Sequence, residues 1–504
     1  MRLHRKQQDA KLVRMKVREL QKWFISHIAD NGKPYSVDKN QAKIILDSHK
    51  NTIVTARAGS GKTRTIVAKI TFLLVHEKIP PEDIIVFSFN RKARAEINER
   101  LTKITFDNKP LFDKTPSLAT TFHGFAYKIL GGKNVVGKLL ISESENQKIL
   151  CEASKNLINE NTLSIATQFI TRAEQQFSGN FAELSTKIEG QDNEDNKQKL
   201  KLLYQILLNY KTLLQKNHKT NFNEIMQHAA EKITNDKLNF SYQYIFVDEY
   251  QDFSKLFLNL VLALRSRVPN SKILVVGDDW QAINRFAGSD VEYFKHFEKY
   301  FPEDCAKLFI PTNYRSGKLI VQNANYFMGK CTGDYRGCKA GNKCRASIFI
   351  KNVMFEHYDQ VILDIIKKNP GKTVKLLDRN NDLRFRRTSL TSFTEQIKHS
   401  LSDSDAELIS ESTIHRSKGL ESDIVILLEI DAEKFPGPDK TGGLYEIFGD
   451  TKENLFYDEA RLFYVALTRP KEKLYILSKT TKIRKENRKY NFLSYLNQEW
   501  IEEL

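Results

Sequence analysis

The chain has 504 residues, of which 40% are hydrophobic and 28% are charged, and its formal net charge is +17. A chain of this length holds roughly two to four domains. No uncharged apolar stretch reaches about 18 residues and the charged N-terminus leads into no apolar core, so we expect neither a membrane span nor a secretory signal, and the cytoplasm is the expected compartment. The basic balance favours a polyanion such as nucleic acid as partner, although a solvated basic surface has the same composition.

Residues 1–34 are predicted to form a basic helical segment. Between Arg2 and Lys22 there are eight lysine or arginine residues and two acidic ones, interspersed with apolar side chains. Such a helix could lie along nucleic acid or pack on the body of the protein, and the sequence leaves both interpretations open.

A phosphate-binding loop is the strongest local pattern in the chain. An apolar run leads into Ala56-Arg57-Ala58-Gly59-Ser60-Gly61-Lys62-Thr63, and a helical pattern follows from Arg64 to Val75. In this order, backbone N–H groups can close around a β-phosphate, Lys62 can reach the β and γ oxygens, and Thr63 can place its hydroxyl on Mg²⁺. Ala56 stands where a glycine is usual, and a Gly-rich turn can also be a plain tight connection. The context predicts binding of ATP or GTP.

A second apolar run ends in two adjacent carboxylates. Tyr244-Ile245-Phe246-Val247 precedes Asp248 and Glu249. At the carboxyl edge of a parallel sheet, Asp248 can hold the Mg²⁺ that Thr63 also touches, and Glu249 can polarise an attacking water. Alone, such a pair is often a capped turn. With the phosphate loop it predicts a hydrolytic site.

A third apolar run, residues 272–276, ends in Gly277-Asp278-Asp279-Trp280-Gln281. Gln281 can both accept and donate hydrogen bonds, which suits sensing a γ-phosphate and passing its presence on to Asn284-Arg285-Phe286. A polar residue in a surface turn would look the same.

Further motifs extend this set in chain order. They are Asp38-Lys39-Asn40-Gln41, Phe89-Asn90-Arg91-Lys92-Ala93, Thr121-Phe122-His123-Gly124-Phe125, Asn313-Tyr314-Arg315, Thr413-Ile414-His415-Arg416-Ser417-Lys418-Gly419-Leu420-Glu421 and Tyr464-Val465-Ala466-Leu467-Thr468-Arg469. From about residue 35 to about residue 480 the ordered set resembles the UvrD/Rep-type superfamily 1 DNA helicases, and within them the helicase IV group. Most of these motifs are weak singly, whereas the ordered set is specific.

The resemblance implies an ATP pocket between two motor domains. It implies that Gln41 reads the adenine edge, that Tyr314 stacks on the base beside Arg64, and that Glu421 touches the ribose. Phosphate contacts are implied for Ala58, Gly59, Ser60, Gly61, Lys62 and Thr63. Catalytic roles are implied for Lys62, Asp248, Glu249, Gln281, Arg315 and Arg469. The two arginines would reach the γ-phosphate from the second motor domain, where a permanently charged guanidinium can neutralise the transferring group.

The resemblance also implies a track for single-stranded DNA across both motor domains. The contact positions are Phe89, Asn90, Arg91, Phe122, His123, Phe286, His415 and Arg416. Stacking of bases on aromatic faces tolerates any sequence, so we expect no recognition sequence. Each phenylalanine could instead pack in a core. Asn284 stands where many relatives carry an aromatic base-stacking residue.

The implied fold is α/β, with two RecA-like parallel-sheet motor domains and a helical insertion in the first. We place the first motor domain at residues 35–125 and 240–310, the insertion at 126–239 and the second motor domain at 311–504. Helical spacing predicts a helix over 199–215 after a polar loop at 189–197, and strands are predicted at 346–350, 373–377, 423–428 and 473–477. Only about a hundred residues separate Arg315 from Thr413, so the large accessory domain of many relatives is expected to be reduced or absent.

The expected function is ATP-driven movement along single-stranded DNA with unwinding at duplex junctions, 3′ to 5′ by resemblance. One alternative is a DNA-stimulated ATPase that switches or remodels a repair or defence complex without processive unwinding, and another is a motor on RNA. The pathway, the protein partners and the oligomeric state stay open.

The five cysteines do not form the even set that a disulfide framework needs. Cys331, Cys338 and Cys344 fall within fourteen residues but lack paired Cys-x2-Cys spacing. A zinc site completed by His357 and a basic loop with reduced thiols both remain open.

Overall fold

The computed structural model describes residues 15–155, 157–158, 162–236, 238–342, 344, 346–383, 388–430, 435–437, 442–478 and 491–503. Residues 1–14 of the predicted basic segment, 1–34, lie outside these ranges. The part that is described begins a helix, Val17–His27, which buries Leu20 and Phe24 in the core beneath the first sheet. In this part of the segment the helix packs on the body of the protein.

The first half of the described chain alternates strands and helices around a helical block. Its elements are α1 (Val17–His27), β1 (Ile28–Asp30), β2 (Lys33–Pro34), α2 (Lys39–Leu46), β3 (Asn51–Ala56), α3 (Lys62–Val75), β4 (Ile84–Ser88), α4 (Arg91–Thr102), β5 (Ile104–Phe106), β6 (Lys109–Pro110), β7 (Ala119–Thr121), α5 (Phe122–Ile129), α6 (Glu143–Ala153), α7 (Leu163–Phe177), α8 (Phe181–Glu189), α9 (Glu194–Lys216), α10 (Phe222–Asn235), β8 (Tyr244–Val247), α11 (Lys255–Arg267), β9 (Lys272–Gly277), α12 (Glu292–Lys295), α13 (Phe297–Tyr300) and β10 (Cys305–Ile310).

The second half contains a further set of alternating elements. They are β11 (Thr312–Asn313), α14 (Lys318–Thr332), β12 (Lys339–Ala340), β13 (Ser347–Asn352), α15 (Tyr358–Lys367), β14 (Val374–Asp378), β15 (Asp382–Leu383), β16 (Thr388–Ser389), α16 (Leu390–Lys398), α17 (Asp403–Ala406), β17 (Ile409–Thr413), β18 (Ser422–Leu427), α18 (Lys452–Leu467), β19 (Pro470–Ser478) and β20 (Glu502–Glu503). No helix among the described residues is long and apolar enough to cross a membrane.

The first large sheet has six parallel strands in the order β10-β3-β9-β8-β4-β7. Its central strands β9, β8 and β4 are apolar and buried along almost their whole length, as the inner strands of a parallel sheet are. Along β8 and β9 the inward residues alternate between two cores, with Ile245 and Val275 in one and Phe246 and Val276 in the other. Because β3, β9 and β8 are neighbours, the segments that leave their carboxyl ends meet at one edge of the sheet.

The second large sheet also has six parallel strands, in the order β17-β14-β18-β19-β13-β20. Four of them confirm strands predicted from the sequence, with bounds that differ by a few residues. β17 and β20 were not predicted. Two all-parallel sheets with covering helices confirm the α/β prediction and its two parallel-sheet units.

Residues 126–239 carry helices α6 to α10 within their described part. The predicted polar loop at 189–197 is partly wrong, because α9 already begins at Glu194. The Asn193 side chain accepts a hydrogen bond from the N–H of Asn196 and two acidic residues follow in the first turn. Both features stabilise a helix start, so the polar composition of this stretch reflects helix capping.

A segment of the second half inserts into the helical block. Tyr445 and Phe448 are buried with the apolar side chains of α6 to α9. Arg172 of α7 donates to both carboxylate oxygens of Asp450, at 2.5 and 2.8 Å, and to the Phe448 carbonyl at 3.2 Å. Since Arg172 is fully buried, this ion pair is shielded from solvent. The helical block is therefore tied to the chain segment that leads into α18.

Replacing Phe448 with alanine is expected to weaken the packing of this segment against the helical block. Removal of a buried phenylalanine costs about 3–5 kcal/mol, so Phe448→Ala should lower the midpoint of thermal unfolding and reduce hydrogen-exchange protection in α7. Leu208→Ala on α9 is the matched control, because Leu208 is 37% exposed. Equal melting and equal exchange in the two variants would show that the segment does not hold the block.

Candidate active site and nucleic-acid interface

The phosphate loop connects β3 to α3 in a conformation that depends on two glycines. Gly59 and Gly61 have φ values of 72° and 81°, in the left-handed region that favours glycine. A Cβ on Gly59 would lie 2.7 Å from Asn313 Oδ1 and 2.8 Å from Arg315 Cβ. The loop therefore lies closer to the second half of the chain than it could if residue 59 had a side chain.

The loop fits a bound triphosphate. The Ser60 hydroxyl is buried and has no hydrogen-bond partner among the described residues. Gly61 caps the N-terminus of α3 without any side-chain cap, so the free N–H groups of the first turn can bind an anion. Lys62 Nζ lies 3.4 Å from Glu249 Oε2 at the same edge.

Two oxygen ligands for a divalent cation lie beside the loop. The Thr63 hydroxyl donates to Asp248 Oδ2 at 3.4 Å. A hydroxyl and a carboxylate are ligands that Mg²⁺ prefers, alongside phosphate oxygens. A bound Mg²⁺ neutralises phosphate charge and orients the phosphate chain.

Asp248 is buried and Glu249 is partly buried, and the two carboxylates differ electrostatically. Burial, and then the neighbouring Glu249 charge, raises the pKa of Asp248. Burial also opposes the charge of Glu249, but Lys62 and Lys418 together lower the pKa of Glu249 below its ordinary value. The Gln251 amide donates to Glu249 Oε2 and fixes that carboxylate. Glu249 is thus an oriented anion, the form that a water-positioning group requires.

Gln281 and Arg469 join the two sheets behind the phosphate loop. Gln281 donates to Asp278 Oδ2 at 2.6 Å and accepts from Arg469 Nη2 at 3.3 Å. Arg469 follows α18 and is 1% exposed. Burial, and then the charge of Arg315, lowers the pKa of Arg469 to about 9. Two guanidinium groups that repel each other at a phosphate loop favour an anion between them.

Arg315 is held by Glu421. Arg315 Nε donates to Glu421 Oε2 at 2.7 Å and Nη1 donates to the Thr468 carbonyl at 3.4 Å. Although burial acts to raise the pKa of Glu421, Arg315 and Lys471 lower it overall. The structure thus pairs the residue predicted to touch ribose with one predicted to reach phosphate.

Of the three residues predicted to hold adenine, Gln41 and Tyr314 converge on Asp38, whereas Arg64 stacks on Tyr35. Gln41 is buried, and its Oε1 accepts from the Asp38 N–H at 3.0 Å. The Tyr314 hydroxyl donates to the Asp38 carboxylate, and the Tyr314 ring is 47% exposed. The Arg64 guanidinium lies 4.3 Å from the centroid of the Tyr35 ring. An exposed ring beside an amide and a guanidinium can bind a planar base.

One cleft of about 620 Å³ brings most of these residues together. From the predicted nucleotide set it is lined by Ala58, Gly59, Ser60, Gly61, Lys62, Thr63, Arg64, Asp248, Glu249, Gln281, Tyr314, Arg315, Glu421 and Arg469. From the predicted strand set it is lined by Phe89, Asn90, His415 and Arg416. Gln41, Arg91, Phe122, His123 and Phe286 are not part of its lining.

Several predicted strand-contact residues are accessible. Phe286 is 51% exposed and packs edge to face on His415, with ring centroids 5.7 Å apart. Arg91 and Arg416 are exposed. Phe89 is half-buried against Phe257, and Asn90 caps α4 by accepting from the Ala93 N–H. The Phe286–His415 pair joins residues from the two halves of the chain, as a continuous strand track requires.

Phe122 and His123 depart from the expected strand contacts. Phe122 is buried between the stacked rings of Phe87 and Phe257, at 4.6 and 4.5 Å, so it is a core residue in this structure and offers no face to a base. His123 packs on Phe222 and Phe257, and burial lowers its pKa to about 4. His123 is therefore neutral at pH 7 and adds no charge for phosphate.

Sequence reasoning gave no role to several residues of the site. Lys418 donates to Asp252 at 2.5 Å and lines the cleft. Gln251 orients Glu249, and Arg57 is buried under the phosphate loop. Arg57 and Lys418 lie inside motifs identified from the sequence and Gln251 lies two residues after Glu249, so their position in the sequence was the available signal. Their partners are far away in sequence and were not predictable.

The three clustered cysteines are not arranged as a metal centre. No group of three or more histidine, cysteine or acidic side chains among the described residues could hold an ion. Burial raises the pKa of Cys331 and of Cys338 to about 12. These thiols are protonated at neutral pH, which disfavours thiolate ligation.

Two parallel sheets, with a phosphate loop, a carboxylate pair and two arginines meeting in one cleft, are the arrangement of a nucleotide hydrolase. Residues 37–302 match the UvrD/REP helicase N-terminal domain and residues 372–481 match the UvrD-like helicase C-terminal domain. The chain belongs to the UvrD/REP helicase family, and it is an enzyme of the ATP-dependent DNA helicase class.

Two relatives show how far the similarity extends. DNA helicase IV of Escherichia coli (strain K12) is 25% identical over 483 residues, which cover 87% of this chain and 67% of that protein. The ATP-dependent DNA helicase PcrA of Staphylococcus aureus is 27% identical over 299 residues, covering 57% of this chain and 39% of that protein. The chain thus matches about two thirds of one relative and about two fifths of the other.

Two substitutions test the assignment of the phosphate loop and carboxylates. Glu249→Gln should lower the rate of DNA-stimulated ATP hydrolysis by about 10²–10⁴-fold, because a positioned proton acceptor is lost. Lys62→Ala should abolish hydrolysis and weaken binding of a fluorescent ATP analogue, because a phosphate contact is lost. Phosphate release with single-stranded DNA present measures both rates.

The exposed residues Lys103 and Glu152 provide matched controls as Lys103→Ala and Glu152→Gln. Hydrolysis by Lys62→Ala at the rate of Lys103→Ala would refute the site.

Proposed function

We propose that the protein binds ATP and Mg²⁺ in the cleft and uses hydrolysis to move along single-stranded DNA in the cytoplasm, unwinding duplex at junctions. The observation that carries the proposal is the contact between Gln281 and Arg469, at 3.3 Å. It links the turn after a strand of the first sheet to an arginine of the second sheet beside the phosphate loop. Hydrolysis can therefore depend on how the two sheets are placed.

Each residue of the predicted nucleotide set has a chemical task in this proposal. Lys62 and the first turn of α3 bind phosphate oxygens, while Thr63 and Asp248 hold Mg²⁺. Glu249 orients the attacking water, and Arg315 and Arg469 neutralise charge on the transferring group. Gln41, Arg64 and Tyr314 hold the adenine, and Glu421 contacts the ribose.

We assign the first motor domain to residues 35–125 and 240–310 and the helical insertion to 126–239. Residues 311–504 are assigned to the second motor domain, with the large accessory domain of many relatives reduced or absent. The assignment is supported by the two parallel sheets and by the small elements β15, β16, α16 and α17 in the described part of 379–408.

The strand track in this proposal runs over Phe89, Asn90, Arg91, Phe286, His415 and Arg416. Exposed rings can stack successive bases and the arginines can bind phosphates. The buried position of Phe122 confines its contribution to packing behind the track. Movement 3′ to 5′ is part of the proposal and is supported by the family to which the chain belongs.

A second candidate function is a DNA-stimulated ATPase switch that remodels a repair or defence complex without processive unwinding. Two observations favour it. Asn284 supplies no ring for a base, and the buried Arg172–Asp450 pair ties the helical insertion to the second half of the chain. A tie of this kind could restrict stepping while leaving hydrolysis responsive to DNA.

Tailed duplexes separate these functions. With ATP and Mg²⁺, the motor should displace the shorter strand from a duplex with a 3′ single-stranded DNA tail and leave a duplex with a 5′ tail intact. Robust DNA-stimulated hydrolysis without displacement from either substrate would replace the motor with the switch. Greater stimulation and displacement with RNA tails would assign an RNA substrate.

Gln281→Ala should uncouple hydrolysis from movement, since it removes the contact with Arg469. We expect fewer base pairs displaced per ATP consumed, measured by parallel displacement and phosphate-release assays, with hydrolysis still stimulated by DNA. Gln396→Ala, at an exposed site on α16, is the control. Full coupling in Gln281→Ala would refute this role.

A further inference from the structure

Arg57 lies inside the phosphate loop and is 2% exposed. Its Nη1 donates to Asp278 Oδ1 at 2.8 Å and to Asp279 Oδ1 at 2.5 Å. Its Cζ lies 3.7 Å from the centroid of the Trp280 ring. Burial opposes the charge, but Asp279 and Asp278 raise the pKa of Arg57 overall. A phosphate-loop side chain is thus locked to the turn that carries Gln281.

The same guanidinium also reaches the second half of the chain. Arg57 Nε donates to the Arg336 carbonyl at 3.2 Å, and Nη2 lies 3.8 Å from Asp334 Oδ2. Both partners lie between α14 and β12. The Trp280 ring that stacks on Arg57 packs edge to face on Tyr464 of α18, at 5.4 Å. Arg57 therefore contacts two segments around the cleft directly, and it reaches a third, α18, through the Trp280 ring.

Asp278 connects these contacts to the predicted γ-phosphate sensor. One of its carboxylate oxygens accepts from Arg57 and the other accepts from Gln281, whose own oxygen accepts from Arg469. Since Asp278 is fully buried, its carboxylate has no solvent to replace either donor. A shift of the Arg57 guanidinium must therefore be followed by Asp278 and Gln281.

The loop around Arg57 is itself tied to the second half of the chain. The Ala58 carbonyl accepts from Asn313 Nδ2 and the Gly59 carbonyl accepts from the Tyr314 N–H, each at 2.8 Å. Any adjustment of the loop to bound phosphates is thus felt at Arg57 and at the segment 313–315 together.

We propose that Arg57 is a positioning residue that transmits occupancy of the phosphate loop to the Gln281 turn and to the second motor domain. It sets how strongly DNA stimulates hydrolysis and how much strand movement each ATP yields, and it does not touch the reacting atoms. The inference rests on the proposed motor function and deepens it. Lysine cannot take this role, because it lacks the planar fork and the stacking face of a guanidinium.

The first test compares full-length Arg57→Lys with the wild type. Loss of a charge-assisted contact in a buried network corresponds to about a tenfold effect. We expect kcat with saturating single-stranded DNA to fall about tenfold, with KM for ATP changed by less than about twofold, and fewer base pairs displaced per ATP. Arg18→Lys, at an exposed position on α1, is the control.

A double-mutant cycle tests the route through the Gln281 turn. Asp279 is a partly exposed partner of Arg57, so Asp279→Asn is expected to fold even where Arg57→Lys does not. If the residues act as one unit, Asp279→Asn should also lower DNA stimulation, and the double variant should be no worse than Arg57→Lys alone.

The proposal is overturned if Asp279→Asn leaves DNA stimulation unchanged, or if the effects of the two substitutions add. It is also overturned if Arg57→Lys lowers the melting temperature while DNA stimulation and base pairs per ATP match the control, because Arg57 would then only hold the fold. If the wild-type protein hydrolyses ATP with DNA but displaces no strand, only the motor function is refuted. The role of Arg57 can still be tested in that case, because DNA-stimulated hydrolysis by the variants is measured separately.

Discussion

The close approach of the phosphate loop to residues 313–315 is the constraint on which the cleft depends. Gly59 can lie against Asn313 only because it has no Cβ, and Asn313 donates its side-chain amide to the Ala58 carbonyl while its oxygen accepts from the N–H groups of Arg315 and Ser316. One amide therefore fixes both the loop and the start of the segment that carries Arg315. The phosphate-binding and arginine-bearing walls cannot be placed independently.

The basic side chains of the cleft differ in whether a carboxylate lies in contact with them. Lys62 and Lys418 lie near Glu249, and Arg315 pairs with Glu421. Arg469 is different, because its hydrogen-bond acceptors among the described residues are uncharged carbonyl, hydroxyl and amide oxygens. Glu249 and Asp278 attract Arg469 from a distance, but a buried cation without a counter-charge in direct contact is costly. A polyphosphate would supply that counter-charge, which gives ligand binding a direct electrostatic reason to hold the two sheets together.

The parts of the site that could be predicted from sequence are those where strand, turn and chemistry are contiguous. The phosphate loop and Asp248-Glu249 each follow an apolar strand, and adjacent parallel strands bring their ends to one edge. Partners distant in sequence could not be predicted: Arg57 and Asp278 are 221 residues apart. Phe122 and Phe286 were equivalent as aromatic residues in motifs, and only packing shows that one is buried and the other exposed. Similarly, nothing local marked residues 444–448 as part of the core of the helical block.

Ion pairs that join the two halves of the chain lie beside the proposed strand track. Arg285, next to Phe286, donates to Asp458 of α18 at 2.7 Å, and Arg172 holds Asp450 just before the same helix. Phe286 in turn packs on His415. Because α18 ends at Leu467, close to Arg469, a displacement of this helix acts on the nucleotide cleft at one end, on Arg285 along its length and on Arg172 near its start. Helix α18 thus connects the nucleotide cleft with the proposed strand track. Buried ion pairs resist separation, because breaking one leaves a buried charge without its partner. In the proposed motor, the helical block would move together with α18, and the packing of that helix would couple hydrolysis to strand contact.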